Sequence, residues 1–183
     1  MSRHALLPAV FSGIILLIPA ARLARAEEAE ARDGLTLFSS KEGGFSIYLP
    51  GKPEHKSTTV GDAKETQHQF VLPTPQGAYI VSYQENPNLA GSTPEQLAAA
   101  LESGRDRLLE SFQGKLLENK SAVLAKKHPG LSFRLTIPKA NGEARCQFFL
   151  VGTRLYQIMA FGVPEFVGSD ETKRVMDSFK LLP

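Results

Sequence analysis

The sequence has a single cysteine, Cys146, among its 183 residues. A chain with one thiol cannot form an intramolecular disulfide, even in an oxidising compartment. In the segment EARCQFFLV, alternation places Cys146 on the same strand face as Ala144, Phe148 and Leu150. This pattern predicts a buried thiol that packs like a small hydrophobic side chain. The alternative is a nucleophile or an intermolecular bridge.

Concentrated positive charge is also missing. A nucleic-acid-binding protein needs a dense basic footprint to displace counterions, and the longest basic run here is Lys126-Lys127. The formal net charge is +2 for the whole chain but −1 once residues 1–26 are removed, because that segment holds three arginines and no acidic residue. Nucleic acid is therefore not an expected partner.

Local motifs for catalysis and metal binding are absent as well. His55, His68 and His128 show neither His-x-His nor His-x-x-x-His spacing, although folding can still bring them together. No Gly-x-Ser-x-Gly elbow occurs, and the Gly-Lys pairs at 51–52 and 114–115 lack the other residues of a P-loop. We therefore expect no catalytic residue, no metal and no cofactor, and a protein that is not an enzyme.

The N-terminus has the three-part layout of a secretory signal peptide. Arg3 precedes an apolar run from Ala9 to Ile18, and small residues at Ala24 and Ala26 mark a cleavage point after Ala26. Since a membrane-spanning helix needs about 20 apolar residues, this short run favours a cleaved signal; an uncleaved anchor is the alternative. No Arg-Arg pair precedes the run, which favours the general secretory route. We expect a soluble product in the periplasm or outside the cell, with no stable membrane insertion after cleavage.

The exported part is predicted to comprise a flexible charged leader at 27–34 and a single domain at 35–183. Within the domain, GFSIYL alternates as a strand, and the PGKP run at 50–53 ends it. We interpret the following EHKS, which contains His55, as a solvated stretch beyond this corner. KETQHQFVL and GAYIVSYQE predict a hairpin, and four runs between 115 and 162 predict an antiparallel meander.

Two helical segments interrupt the strands. Thr93 is a predicted N-cap, Pro94 suits the first turn, and Gln96 occupies the capping-box position. An apolar stripe continues to Phe112, and Gly114 supplies the stop. A short C-terminal helix is predicted in GSDETKRVMDSFKL. The order strands, helix, strands, helix predicts an α+β fold with helices packed on an antiparallel β-sheet.

Four segments, GGFSIYLPGKP, HPGLSFRL, GTRLYQIMAFG and DSFKL, resemble the PsbP-like domain family, which includes exported bacterial proteins of unknown role. The matching residues, such as Gly44, Phe45 and Pro50, are strand cores and turns, and the resemblance spans Leu35 to Leu182. It implies an antiparallel sheet between helical layers, and a binding or assembly accessory in place of an enzyme. It transfers no functional residue to this chain.

Surface residues are the remaining candidates for function. Tyr79 and Tyr83 share one face of a strand that leads into Asn86, and they form a binding platform unless a helical layer covers them. Arginines on one polar sheet face are a second candidate, for an anion, unless they are merely scattered over the surface. The predicted binding surface comprises Tyr79, Tyr83, Asn86, Arg134, Arg145 and Arg154.

The sequence thus predicts an exported, non-enzymatic accessory or binding domain of the cell envelope. Its expected partner is another envelope protein, contacted through a sheet face or the loop at 86–92. The alternative is a small-molecule or ion-binding protein with a pocket between helix and sheet.

Overall fold

The computed structural model describes residues 31–32, 34–60 and 65–183. The predicted signal peptide, and most of the predicted leader, lie outside the described residues. Within the leader, Ala31 and Arg32 form a short strand that pairs with Leu35 and Thr36. No helix in these ranges has the length and apolar character needed to cross a membrane.

The described chain consists of two successive blocks, each of which is a run of strands followed by helices. The strands are β1 (Ala31–Arg32), β2 (Leu35–Ser40), β3 (Phe45–Leu49), β4 (Glu54–Val60), β5 (Glu65–Thr74), β6 (Gly77–Glu85), β7 (Leu116–Leu124), β8 (His128–Ile137), β9 (Gly142–Val151), β10 (Arg154–Gly162) and β11 (Lys180–Leu181). The helices are α1 (Pro94–Phe112), α2 (Pro164–Gly168) and α3 (Asp170–Asp177), with 3-10 turns at Pro87–Leu89 and Pro138–Ala140. The single predicted C-terminal helix is thus a pair, α2 and α3, followed by a short strand.

The strands form two antiparallel sheets. The larger, seven-stranded sheet has the order β4-β5-β6-β10-β9-β8-β7, and the smaller has the order β1-β2-β3-β11. The β5–β6 hairpin and the β7–β10 meander follow the predicted pattern. The two blocks of the chain meet where β6 pairs with β10, so the middle of the larger sheet joins residues far apart in sequence.

One face of the larger sheet is covered by α1. The Thr93 hydroxyl accepts a hydrogen bond from the backbone N–H of Gln96, and the Gln96 side chain accepts one from the N–H of Thr93, which confirms the predicted capping box. The helix ends at Phe112 and is capped by Gln113, which adopts the left-handed conformation one residue before the predicted stop. The core on this face includes Leu97, Leu101, Leu108 and Phe112 of α1 and Leu131, Phe133, Leu135, Cys146 and Phe148 of the sheet.

The opposite face of the larger sheet carries a mixed layer. The β2–β3 hairpin places Phe45, Ile47 and Leu49 against the larger sheet, where all three are fully buried. Helices α2 and α3 complete this layer with Val167, Val175 and Met176. The implied helical layers are therefore present on both sides, but on this side a small sheet shares the covering with the helices, because an alternating hairpin also presents one apolar face.

The stretch beyond the PGKP corner has exposed side chains, as its interpretation as a solvated stretch requires, but it is an edge strand, which was not predicted. Strand β4 pairs with β5, and His55 lies opposite Phe70. No strand was predicted here because the residues from Glu54 to Thr59 show no apolar alternation, and their side chains are exposed in the structure. Backbone pairing with β5 is enough to order a polar edge strand.

Cys146 is fully buried beneath α1, and this burial raises the pKa of its thiol. Since only the thiolate reacts quickly, we expect no labelling of the folded protein by Ellman's reagent at mildly alkaline pH. Complete labelling is expected in concentrated guanidinium chloride. Rapid labelling of the folded protein would contradict the buried position and would favour the nucleophile.

Candidate functional site

The two tyrosines of the predicted platform are both buried, so they do not form an exposed platform. Tyr79 packs against Phe166 of α2, with ring centroids 5.0 Å apart, and its hydroxyl lies 3.0 Å from the hydroxyl of Thr172. Tyr83 has only 5% of its surface exposed and lies beneath the β2–β3 turn, next to Phe45. The covering layer therefore removes the platform.

The three predicted arginines lie on one face of the larger sheet but do not converge. Arg134 is directly opposite Arg145, which is opposite Ala160, and Arg154 lies six residues away from Ala160 on the same strand, or roughly 20 Å. Arg134 donates hydrogen bonds to the carboxylates of Glu118 and Glu143, so its charge is compensated locally. A single anion bound by all three arginines is therefore ruled out by distance.

Tyr83 and Arg154 instead meet at a pocket of about 310 Å³, which we call the Arg154 pocket. It opens at the end of the larger sheet where β5, β6 and β10 face the β2–β3 turn. Asn86 lies beside it: its side-chain oxygen accepts a hydrogen bond from the backbone N–H of Asn88 and shapes the turn that carries Pro87. The pocket is lined by Glu42, Thr66, His68, Tyr83, Glu85, Pro87 and Arg154.

Arg154 connects the larger sheet to the β2–β3 turn through hydrogen bonds. Its Nε donates to a carboxylate oxygen of Glu85 at 2.6 Å, and its Nη1 donates to the backbone carbonyls of Glu42 and Gly43 at 3.2 Å. The guanidinium carbon also lies 5.0 Å from the centre of the Tyr83 ring, a cation–π distance. Among the described residues its Nη2 has no hydrogen-bond partner, so one edge of the guanidinium can still bind an acceptor.

The Tyr83 hydroxyl is the unusual group of the site. It is buried and has no hydrogen-bond partner among the described residues. The directly opposite residue on β10, Tyr156, differs, since its hydroxyl donates to the carbonyl of Gly43 at 2.7 Å. Burial is the largest cause that raises the pKa of Tyr83, and the negative charge of Glu42 is the second. The hydroxyl therefore stays protonated and able to donate. A buried polar group without a partner costs about 1–3 kcal/mol.

The tyrosine pair gives a matched test of this assignment. Tyr83→Phe removes an unpaired hydroxyl, so we expect the free energy of unfolding of the free protein to rise by about 1 kcal/mol. Tyr156→Phe removes a paired hydroxyl from the same strand pair, so we expect a decrease of about 1 kcal/mol. Urea denaturation followed by circular dichroism measures both. A loss of stability in Tyr83→Phe would contradict the assignment, because it would mean that the hydroxyl is already bonded.

Comparison with known proteins by sequence found no matching family model and no matching curated protein. By structure, the chain is similar to the solution structure of cyanobacterial PsbP (CyanoP) from Synechocystis sp. PCC 6803, with a TM-score of 0.54 and 12% identity over 83% of this chain and 95% of that one. The fold is PsbP-like. A Pseudomonas aeruginosa protein of unknown function (TM-score 0.46, 16% identity, 81% and 96% covered) and a Bacteroides thetaiotaomicron protein (0.40, 14%, 80% and 48%) also match.

The PsbP-like fold also brings together two residues that sequence spacing had separated. His55 of β4 and His68 of β5 are thirteen residues apart, but their Nε2 and Nδ1 atoms lie 3.2 Å apart. The contact follows from the register of the β4–β5 pair. His55 is opposite Phe70, and Phe70 lies two residues from His68, so all three side chains are on the same face of the sheet. His128 lies in β8, which is separated from β5 by three strands of the larger sheet. Residues 34–60 and 65–183 contain no group of three or more His, Cys, Asp or Glu side chains placed to hold a metal ion.

A second opening lies between the β5–β6 hairpin and helices α2 and α3. This cleft has a volume of about 460 Å³, and the buried hydroxyl of Thr74 beside it has no partner among the described residues. Its walls are mostly apolar, with Glu171 as its charged residue. The lining residues are Pro50, Leu72, Pro73, Thr74, Pro75, Gln76, Phe166 and Glu171.

Proposed function

We propose that the protein is an exported accessory domain that binds a partner protein of the cell envelope at the Arg154 pocket and catalyses no reaction. The observation that carries this proposal is the buried, unpaired hydroxyl of Tyr83 beside that pocket. The N-terminal signal pattern supports export, and the PsbP-like fold is consistent with an accessory domain. Each of these supports the proposal independently of the others.

The chemistry of the pocket suits the anchoring of one side chain from a partner. Tyr83 and Arg154 offer hydrogen-bond donors, and the exposed Thr66 and Pro87 form a rim around them. Aromatic and arginine side chains in a desolvated setting are the residue types that dominate binding energy at protein interfaces. A carbonyl or carboxylate oxygen from the partner would accept from the Nη2 of Arg154, and an acceptor that reaches the Tyr83 hydroxyl would remove the cost of its missing bond.

A second candidate function is small-molecule binding in the cleft between the β5–β6 hairpin and α2. The observation that favours it is the unpaired hydroxyl of Thr74 in a cleft with a mainly apolar lining. Thermal-shift screening of Thr74→Val against the unchanged protein tests it. A compound that stabilises only the unchanged protein supports this candidate.

The accessory function is tested by crosslinking and affinity capture from envelope fractions of the native host. Arg154→Met removes the guanidinium, and Arg107→Met, on the exposed side of α1 on the opposite sheet face, is the matched control. We expect the unchanged protein and Arg107→Met to capture the same partner, and Arg154→Met to lose it at least tenfold. Tyr83→Phe, which should fold well, serves as a second variant. Equal capture by all four proteins would overturn the proposal.

Export is tested separately by cell fractionation and mass spectrometry. The expected result is a protein in the periplasm or the medium whose first residue is Glu27. A chain that keeps residues 1–26 and sediments with membranes would contradict cleavage and would favour the uncleaved anchor.

A further inference from the structure

The histidine pair on β4 and β5 has a defined geometry. The Nε2 of His55 and the Nδ1 of His68 are 3.2 Å apart, the ring planes differ by 12°, and the ring centroids are 5.4 Å apart. The distance between the centroids is longer than the distance between the nitrogens by about twice the distance from a ring centre to a ring atom. The two nitrogens therefore lie on the line that joins the ring centres, and the rings meet edge to edge in nearly one plane. One nitrogen of each imidazole therefore points at the other ring, as in an N–H···N hydrogen bond.

Aromatic side chains beneath the pair support one face of each ring. Phe70 stacks on His55 with centroids 4.6 Å apart, and Tyr83 stacks on His68 at 4.7 Å. Phe70 and Tyr83 are themselves buried in the core of the same sheet face. The imidazoles thus rest on a rigid base while the exposed edge strand leaves His55 open to solvent.

The outer nitrogen of His68 faces a carboxylate. Its Nε2 lies 3.9 Å from an oxygen of Glu42, at the outer limit of an ion-pair contact. In the tautomer that carries its proton on Nε2, the ring donor of His68 is on the Glu42 side and the lone pair on Nδ1 is directed at His55. The same carboxylate–histidine arrangement orients imidazole ligands in metal sites.

From this geometry we infer that His55 and His68 form a binding site for a divalent transition-metal ion of the Zn²⁺ or Cu²⁺ class. Two imidazole nitrogens bound to one tetrahedral metal at 2.0–2.1 Å stand about 3.3 Å apart, close to the separation of this pair. The ion would take the place of the shared proton but would lie to one side of the line between the two nitrogens, so each ring would turn by roughly 35° to direct its lone pair at a tetrahedral ion. Water would complete the coordination, since His55 faces solvent. This inference does not rest on the proposed accessory function.

The surrounding charges allow a cation at this position. Arg154 lies on the other side of Tyr83 and is paired with Glu85 at 2.6 Å. Glu42 adds a negative charge on the His68 side, and Lys56, which alternation places on the opposite strand face, contacts Glu54. Imidazole ligands select Zn²⁺, Cu²⁺ and Ni²⁺ over Ca²⁺ and Mg²⁺, which prefer oxygen ligands.

The test is a titration of the exported protein, purified without a polyhistidine tag, with Cu²⁺ and with Zn²⁺ in an isothermal calorimeter. We expect one ion per chain, at least tenfold weaker binding in His55→Ala and in His68→Ala, and unchanged binding in the control His128→Ala. Glu42→Gln is expected to weaken binding by about tenfold through loss of orientation. Electron paramagnetic resonance of the Cu²⁺ complex should show two nitrogen ligands.

Circular dichroism melting shows whether each histidine variant is folded before its titration is compared. Binding that survives in both His55→Ala and His68→Ala, or that is lost equally in His128→Ala, would overturn the inference. So would the absence of binding of either ion to the unchanged protein. Capture of the envelope partner is a separate readout, so failure here leaves the accessory function to its own test.

Discussion

Replacing Phe45 with alanine is expected to lower the free energy of unfolding by about 4 kcal/mol. The ring is fully buried and lies between the two sheets and the C-terminal segment. Its centroid is 5.5 Å from that of Phe70 in the larger sheet and 5.5 Å from that of Phe179 after α3. Truncation removes these contacts and leaves a cavity that a rigid sheet pair cannot close.

Urea denaturation followed by circular dichroism measures this loss. Leu117→Ala is the control, because Leu117 lies on edge strand β7 with 47% of its surface exposed, and we expect a change within about 0.5 kcal/mol. A cost of less than about 1 kcal/mol for Phe45→Ala would contradict the packing of the small sheet on the larger one. It would also remove the covering layer that encloses Tyr83.

Replacing Gly77 with alanine is expected to cost about 3 kcal/mol or more, and to lower the yield of soluble protein. Gly77 is paired directly with Gly162 where β6 meets β10. A Cβ atom at Gly77 would lie 2.0 Å from the backbone carbonyl oxygen of Phe161, which no side-chain movement can relieve. The strands would have to separate at the join between the two blocks of the chain.

Gly168→Ala is the matched control for this prediction. A Cβ at Gly168 would meet no atom within 4 Å, and the residue ends α2, so the substitution should be neutral or stabilising by about 0.5 kcal/mol. Both variants are compared by thermal unfolding. Equal melting temperatures for the two variants would contradict the close approach of β6 and β10.

Features set by neighbours in sequence could be predicted, and those set by distant pairings could not. The Thr93 and Gln96 capping box depends on residues three positions apart, and it is present as predicted. In the small sheet, β3 also pairs with β11, and this places Ser46 opposite Lys180 across most of the domain, which no local pattern predicts. Strand β4 was missed for a related reason, since its exposed side chains carry no apolar alternation.

The same limit applies to the candidate site. Tyr83 and Arg154 were both chosen from sequence, but for separate surfaces, and their meeting depends on the pairing of β6 with β10 across α1. The sequence left open whether Tyr83 offers an exposed ring or is covered by another layer, and the structure shows the ring covered and its hydroxyl buried without a partner among the described residues. The His55–His68 contact also depends on register, which sequence spacing alone does not give.

The Arg154 pocket as a partner-binding site is tested most directly by photo-crosslinking in the native host. A benzophenone amino acid is placed at position 66, on the exposed rim of the pocket, and separately at position 107 on α1 as the control. The expected result is one crosslinked envelope protein at position 66, none at position 107, and loss of the crosslink when Arg154→Met is added. A crosslink of equal strength at both positions, or none at position 66, would contradict binding at this pocket.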